Sequence, residues 1–232
     1  MPARALIFDF NGTLSDDEHV MEAIIRDVFG RYARPPTHEQ YVAQLAGLSD
    51  EAMVQTWLGD RDDVHVIVAE RVNGYCASVP DGRTIRPAMR ETVRLAASRV
   101  PIAIVSGAAR AEIEPVVRAA GIAELFTAVV ASDDVSAGKP HPEGYNVALE
   151  LLRAALPDLR PAEATVIEDT EAGVAAAKAA GMRCLGLVGT MLPERLAAAD
   201  ELVDALDVAL IKRLLDPDRA ARPSRSLERR VP

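Results

Sequence analysis

Five short apolar runs limit what this chain can fold into. They are Ala5-Leu6-Ile7-Phe8 and residues 101–105, 128–131, 164–167 and 183–188. Each has the length and composition of a buried strand. Between them lie stretches with helical spacing: Ile113, Val116 and Val117; Val147, Leu149, Leu151 and Leu152; and residues 174–180. Strands alternating with helices predict a doubly wound α/β fold, a parallel sheet covered on both faces. In such sheets ligands bind beyond the carboxyl ends of the strands.

Residues 16–83 break the alternation. They carry helical patterns (Met21, Ile24, Ile25, Val28, Phe29; then Val64, Ile67, Val68, Val72) and no clear strand. We read them as a helical cap inserted into a core made of residues 1–15 and 84–215. The insertion holds thirteen acids, six arginines and no lysine, so it carries most of the net charge of −9. That balance argues against nucleic acid as a partner. Residues 216–232, with five arginines and two internal prolines, read as a disordered tail. Two cysteines do not make a disulfide framework, no apolar run is long enough to span a membrane, and no signal architecture opens the chain. The expected location is cytoplasmic.

Four polar clusters follow the apolar runs. Asp9-Phe10-Asn11-Gly12-Thr13 follows the first, and Ser106-Gly107 the second. Gly138-Lys139-Pro140 comes after the third by way of a loop, and Glu168-Asp169 follows the fourth. At the carboxyl ends of a parallel sheet they converge on one crevice. The residue types suit phosphoryl transfer. Asp9 can be a nucleophile, and it can join Glu168 and Asp169 in binding a hard cation such as Mg²⁺. Ser106 and Lys139 can hold and neutralise a phosphoryl group, with backbone N–H groups near Gly12 and Gly107 as added donors.

Taken in order, the segments FDFNGTLSDDE, IVSGA, GKPHPEGY and VIEDTEAG resemble the haloacid dehalogenase superfamily. Within it they resemble the phosphatases and phosphoglucomutases that carry a helical cap. The resemblance implies a Rossmann-like core, Mg²⁺ and an aspartyl-phosphate intermediate. It implies Asp9 as nucleophile and metal ligand, a metal contact from the carbonyl of residue 11, and loop support from Thr13. Ser106 and Lys139 grip phosphate, with Gly12, Gly107, Ala108 and Arg110 around them. Asp169 is a metal ligand, and Glu168 a direct or water-mediated one. The cap loop with Gly47 and Ser49 selects the substrate, a small phosphorylated metabolite such as a sugar phosphate.

The chain departs from the family pattern at Asn11. Phosphatases of the family usually hold an aspartate there as general acid and base, and an amide cannot exchange that proton at neutral pH. Either the asparagine belongs to a weak or specialised enzyme, or it was introduced to trap a complex, or a cap acid takes over. Asp16, Asp17, Glu18 and Asp50 are the candidates for the last. Lys139, Lys178 and Lys212 all lie outside the insertion, which excludes a cap-lysine Schiff base. Mutases of the family tend to carry cationic cap residues where this chain has Ala46 and Asp50. Phosphatase is therefore the first reading. A sugar phosphomutase and a weakly active phosphate-binding or regulatory protein are the alternatives.

Overall fold

In a computed structural model, which describes residues 2–216, the five apolar runs are strands to within a residue at either end. They are β1 (Ala5–Phe8), β2 (Ile102–Val105), β3 (Ala128–Val130), β4 (Ala164–Glu168) and β5 (Arg183–Leu187). An edge strand, β6 (Glu201–Val203), was not expected from the sequence. The sheet order is β3-β2-β1-β4-β5-β6, and every pairing is parallel. The fold is a Rossmann-like α/β sheet. Of the tail expected at residues 216–232, all but Asp216 lies outside the described residues.

Alternating side chains divide β1 between two apolar layers. Leu6 and Phe8 join Ile102 and Ile104 on one face, against Val93 and Ala96 of α5 (Pro87–Ala97) and Ile113 and Val116 of α6 (Arg110–Ala119). Leu210 and Leu214 of α9 (Val208–Leu215) close that face. Ala5 and Ile7 join Val105 and Val166 on the other, under Tyr145 and Leu149 of α7 (Glu143–Leu152) and Val174 of α8 (Glu171–Ala179). Burial on both faces explains why these strands read as continuous apolar runs.

The cap sequence is helical, with no strand between Glu18 and Ser78. It contains α1 (Glu18–Tyr32), α2 (His38–Gln40), a π-helical turn at Tyr41–Leu45, α3 (Asp50–Leu58) and α4 (Val64–Ser78). Ser49 caps α3 by accepting the Ala52 N–H at 3.3 Å. Helix α4 packs on α1, on α3 and on α6 of the sheet layer. The cap loop also reaches the loop after β5. A Cβ on Gly47 would fall 2.4 Å from Met191 Cε, and Gly47 has φ +79°. Only glycine fits that approach without strain. No helix among the described residues is long and apolar enough to cross a membrane.

Candidate active site

The strand order reverses at β1 and β4, where Phe8 pairs with Ile167. Their carboxyl ends therefore bring Asp9 beside Glu168 and Asp169, at the switch point where open sheets bind ligands. Ser106 arrives on the end of β2 and Lys139 on the loop after β3. Lys139 Nζ donates to Asp9 Oδ1 at 2.6 Å, to the Val105 carbonyl at 3.1 Å and to Glu168 Oε1. Burial disfavours the ammonium charge, but Asp9 and Glu168 more than restore it, and the Lys139 pKa rises. The Ser106 hydroxyl accepts the Ala108 N–H at 3.1 Å and keeps its own proton to donate. The Gly107 N–H donates to no described residue.

Asp169 is held by Thr13, whose hydroxyl donates to Oδ1 at 3.2 Å, and by Thr190, which donates to Oδ2. Burial and then the charges of Asp9 and Glu168 push the Asp169 pKa well up. Burial also pushes Asp9 up to about 7, with Lys139 opposing and Glu168 adding to the rise. Two buried carboxylates that raise each other's cost of ionisation suit a cation between them. The Asn11 carbonyl accepts no backbone hydrogen bond from any described residue. Mg²⁺ characteristically takes one or two carboxylates and keeps several waters, so Asp9, Asp169 and this carbonyl fit it.

Glu168, expected as a direct or water-mediated metal ligand, is enclosed by protein donors. Its carboxylate is fully buried, with Oε1 accepting from Lys139 and from the Tyr145 hydroxyl at 3.1 Å. Oε2 accepts from the Asp169 N–H, the Thr170 N–H and the Thr170 hydroxyl at 2.9–3.0 Å. A Cβ on Gly173 would fall within 1.8 Å of this carboxylate, so α8 needs glycine there. With its oxygens filled, Glu168 positions Lys139.

A cavity of about 430 Å³ opens over this cluster, between sheet loops and cap. Asp9, Asn11, Ser106, Gly107, Ala108, Lys139 and Asp169 line it from below, and Gly47 and Ser49 from the cap. Gly12, Thr13 and Arg110 are engaged by other protein groups. The Gly12 N–H is taken by the Ser15 carbonyl at 2.8 Å and by Asp17 Oδ1 at 3.3 Å. Thr13 is buried against Asp169. Arg110 turns away, bonded to Glu114 at 2.9 Å, to the Val129 carbonyl at 2.9 Å and to Asp134. Acids close to Arg110 on its own helix and on the next loop outcompete a distant site.

The four cap acids separate by position. Asp16 is exposed and paired with Arg86. Asp17 is fully buried behind Asn11, accepting from Asn11 Nδ2 at 2.9 Å and from the Tyr75 hydroxyl. Glu18 and Asp50 line the cavity. Glu18 Oε1 accepts from the Tyr41 hydroxyl at 2.8 Å, so Tyr41 does more than pack the cap. Asp50 accepts from Arg71. Arg71, which the sequence reading missed, is 3% exposed and also bonds Glu112 of α6. Its signal was a charge inside the apolar i, i+4 stripe Ile67-Arg71-Tyr75.

These buried acids set a pH dependence. Burial raises Glu112 from the ordinary 4.5 to about 7, although Arg71 opposes the rise. Asp17, Glu18 and Asp50 are raised by burial too. A raised acid binds more protons folded than unfolded, so its stability contribution is lost as pH climbs through the folded pKa. Surface Glu163 is the opposite case, held down to about 2 by its bonds from Arg160, so its contribution is lost toward that pH. Without divalent cations, thermal unfolding is expected at higher temperature at pH 5.5 than at pH 8, with a fall again below about pH 4. Equal midpoints at pH 5.5 and 8 would contradict these environments.

A family model of haloacid dehalogenase-like hydrolases matches residues 6–187. The chain belongs to that family. It is 32% identical to validoxylamine A 7'-phosphate phosphatase of Streptomyces hygroscopicus subsp. limoneus, over 88% of this chain and 94% of that protein. It is 28% identical to a phosphoglycolate phosphatase of Yersinia pseudotuberculosis, over 79% of this chain and 80% of the other. The crystal structure of β-phosphoglucomutase from Clostridium difficile shares the fold, with TM-score 0.76 and 19% identity over 94% of this chain and 99% of that one.

Proposed function

We propose that this haloacid dehalogenase-like hydrolase is a Mg²⁺-dependent phosphatase for a small phosphorylated metabolite of the sugar-phosphate type. The observation that carries the reading is Asp9 at the switch point, with Lys139 on Oδ1 and Oδ2 accepting no hydrogen bond from any described residue. The relatives named as phosphatases support it.

Asp9 Oδ2 attacks phosphorus, and the ester oxygen leaves with a proton. The Ser106 hydroxyl, the Gly107 N–H and the Lys139 ammonium donate to the transferring oxygens. Asp9, Asp169 and the Asn11 carbonyl would hold Mg²⁺, whose positive charge would keep the acids ionised and offset phosphoryl charge. Asn11 cannot give the proton, and its amide is already donating to Asp17. Glu18 is the proton source. It lines the cavity, and burial holds its carboxyl above the ordinary range. After protonating the leaving oxygen, the Glu18 carboxylate takes a proton from the water that hydrolyses the aspartyl phosphate. The mutase alternative is disfavoured, because the cap cation on the cavity wall, Arg71, is held by Asp50 and Glu112.

Incubation with an activated aryl phosphate and Mg²⁺, acid quenching and peptide mass spectrometry test the reading. The phosphoryl group is expected on the peptide holding Asp9, and chelation of Mg²⁺ should remove it. Phosphorylation elsewhere, or hydrolysis indifferent to chelation, would sink the proposal.

A further inference from the structure

The cavity is polarised. Its floor offers the Lys139 ammonium and the donors of Ser106 and Gly107, whereas Glu18, Asp50 and Glu51 line the cap side. Arg71 is the cap cation on the same wall, and it is spent on Asp50 and on Glu112 behind it. Asp50, Glu51 and Glu112 outnumber Arg71, so the cap wall is net negative even while Glu18 carries the proton it donates. Glu18 Oε2 and Asp50 Oδ1 accept no hydrogen bond from any described residue, because each carboxylate has its protein donor on the other oxygen. Arg71 Nε is a buried side-chain nitrogen with no partner among the described residues. The wall thus presents unfilled carboxylate acceptors, to which a hydroxyl group can donate. A protonated amine satisfies the carboxylates. A second anion satisfies neither carboxylate and is repelled by them.

We infer that the cap side selects phosphate esters whose organic part is a neutral polyol or carries a protonated amine, and that it rejects esters bearing a second anion. The inference rests on the phosphatase reading for the orientation of the ester, phosphate down and organic part toward the cap.

The test is calorimetric binding to Asp9→Asn protein, with Asp9→Ala in parallel, so that the ester stays intact. The probes are glucose 6-phosphate, glucosamine 6-phosphate and 6-phosphogluconate, all in Mg²⁺. Glucosamine 6-phosphate is expected to bind at least as tightly as glucose 6-phosphate, and both at least about tenfold tighter than the carboxylate-bearing probe. Asp50→Asn combined with Glu51→Gln should shrink that gap to about threefold or less. Equal or tighter binding of 6-phosphogluconate, an unchanged gap in the double variant, or no binding of any probe would overturn the inference. Phosphate release from the same esters by unmodified protein is read separately. The expected binding order without release would leave the selectivity standing and sink the phosphatase reading.

Discussion

Glu18→Gln is expected to lower kcat/KM for an alkyl phosphate ester by about 10²–10⁴-fold, the usual worth of a general acid–base group. Glutamine keeps the size of the side chain and can still accept from the Tyr41 hydroxyl, so the cap should hold its shape. What disappears is the exchangeable proton. An aryl phosphate with a good leaving group needs no proton in the first step. Its initial burst should survive while steady turnover slows, because hydrolysis of the aspartyl phosphate still needs a base. Rapid-quench kinetics on both esters separate the two steps. Equal loss in the burst and in ester turnover would mean that Glu18 only supports the cavity wall. Asn11→Asp is not expected to replace this function. It would place a second carboxylate against Asp17, now 2.9 Å from the Asn11 amide in a buried site, and the pair would share a proton. Combining Asn11→Asp with Asp17→Asn removes that conflict, so the double variant should turn over faster than Asn11→Asp alone.

Arg71→Ala is expected to cost about 3–5 kcal/mol of folding stability, the range for removing one partner of a buried ion pair. The guanidinium holds Glu112, which is 1% exposed, and Asp50 across the junction of α4, α3 and α6. Without it two buried carboxylates face each other with no cation. Urea denaturation followed by circular dichroism measures the cost. Adding Glu112→Gln should recover at least about half of it, because the uncompensated charge, more than lost packing, carries the penalty. If the second substitution recovers nothing, the loss comes from the cavity left by the side chain. The ion pair also ties the cap to the sheet layer, so the single variant should open the cap to proteolysis near Gly47.

The parallel core was legible because burial on both faces writes five strands as apolar runs, and the acids that follow β1 and β4 stand out against them. The edge strand β6 left little trace, since it is three residues long and Leu202 on it is 42% exposed. Arg110 was expected at the site because it follows Ser106-Gly107 closely in the chain, while its partners Asp134 and the Val129 carbonyl come from the next strand and loop. Arg71 escaped notice because Glu112 lies 41 residues away and on another layer.

The sequence by itself determined the sheet and the residues that can meet at its carboxyl end. Those are properties of period and spacing, and local chain geometry carries them. Only the tertiary structure decided which way each charge faces. It filled both oxygens of Glu168, buried Asp17 behind Asn11, and put Glu18 on the cavity wall. A carboxylate's role depends on its burial and its donors, and here those donors come largely from elements far apart in the chain.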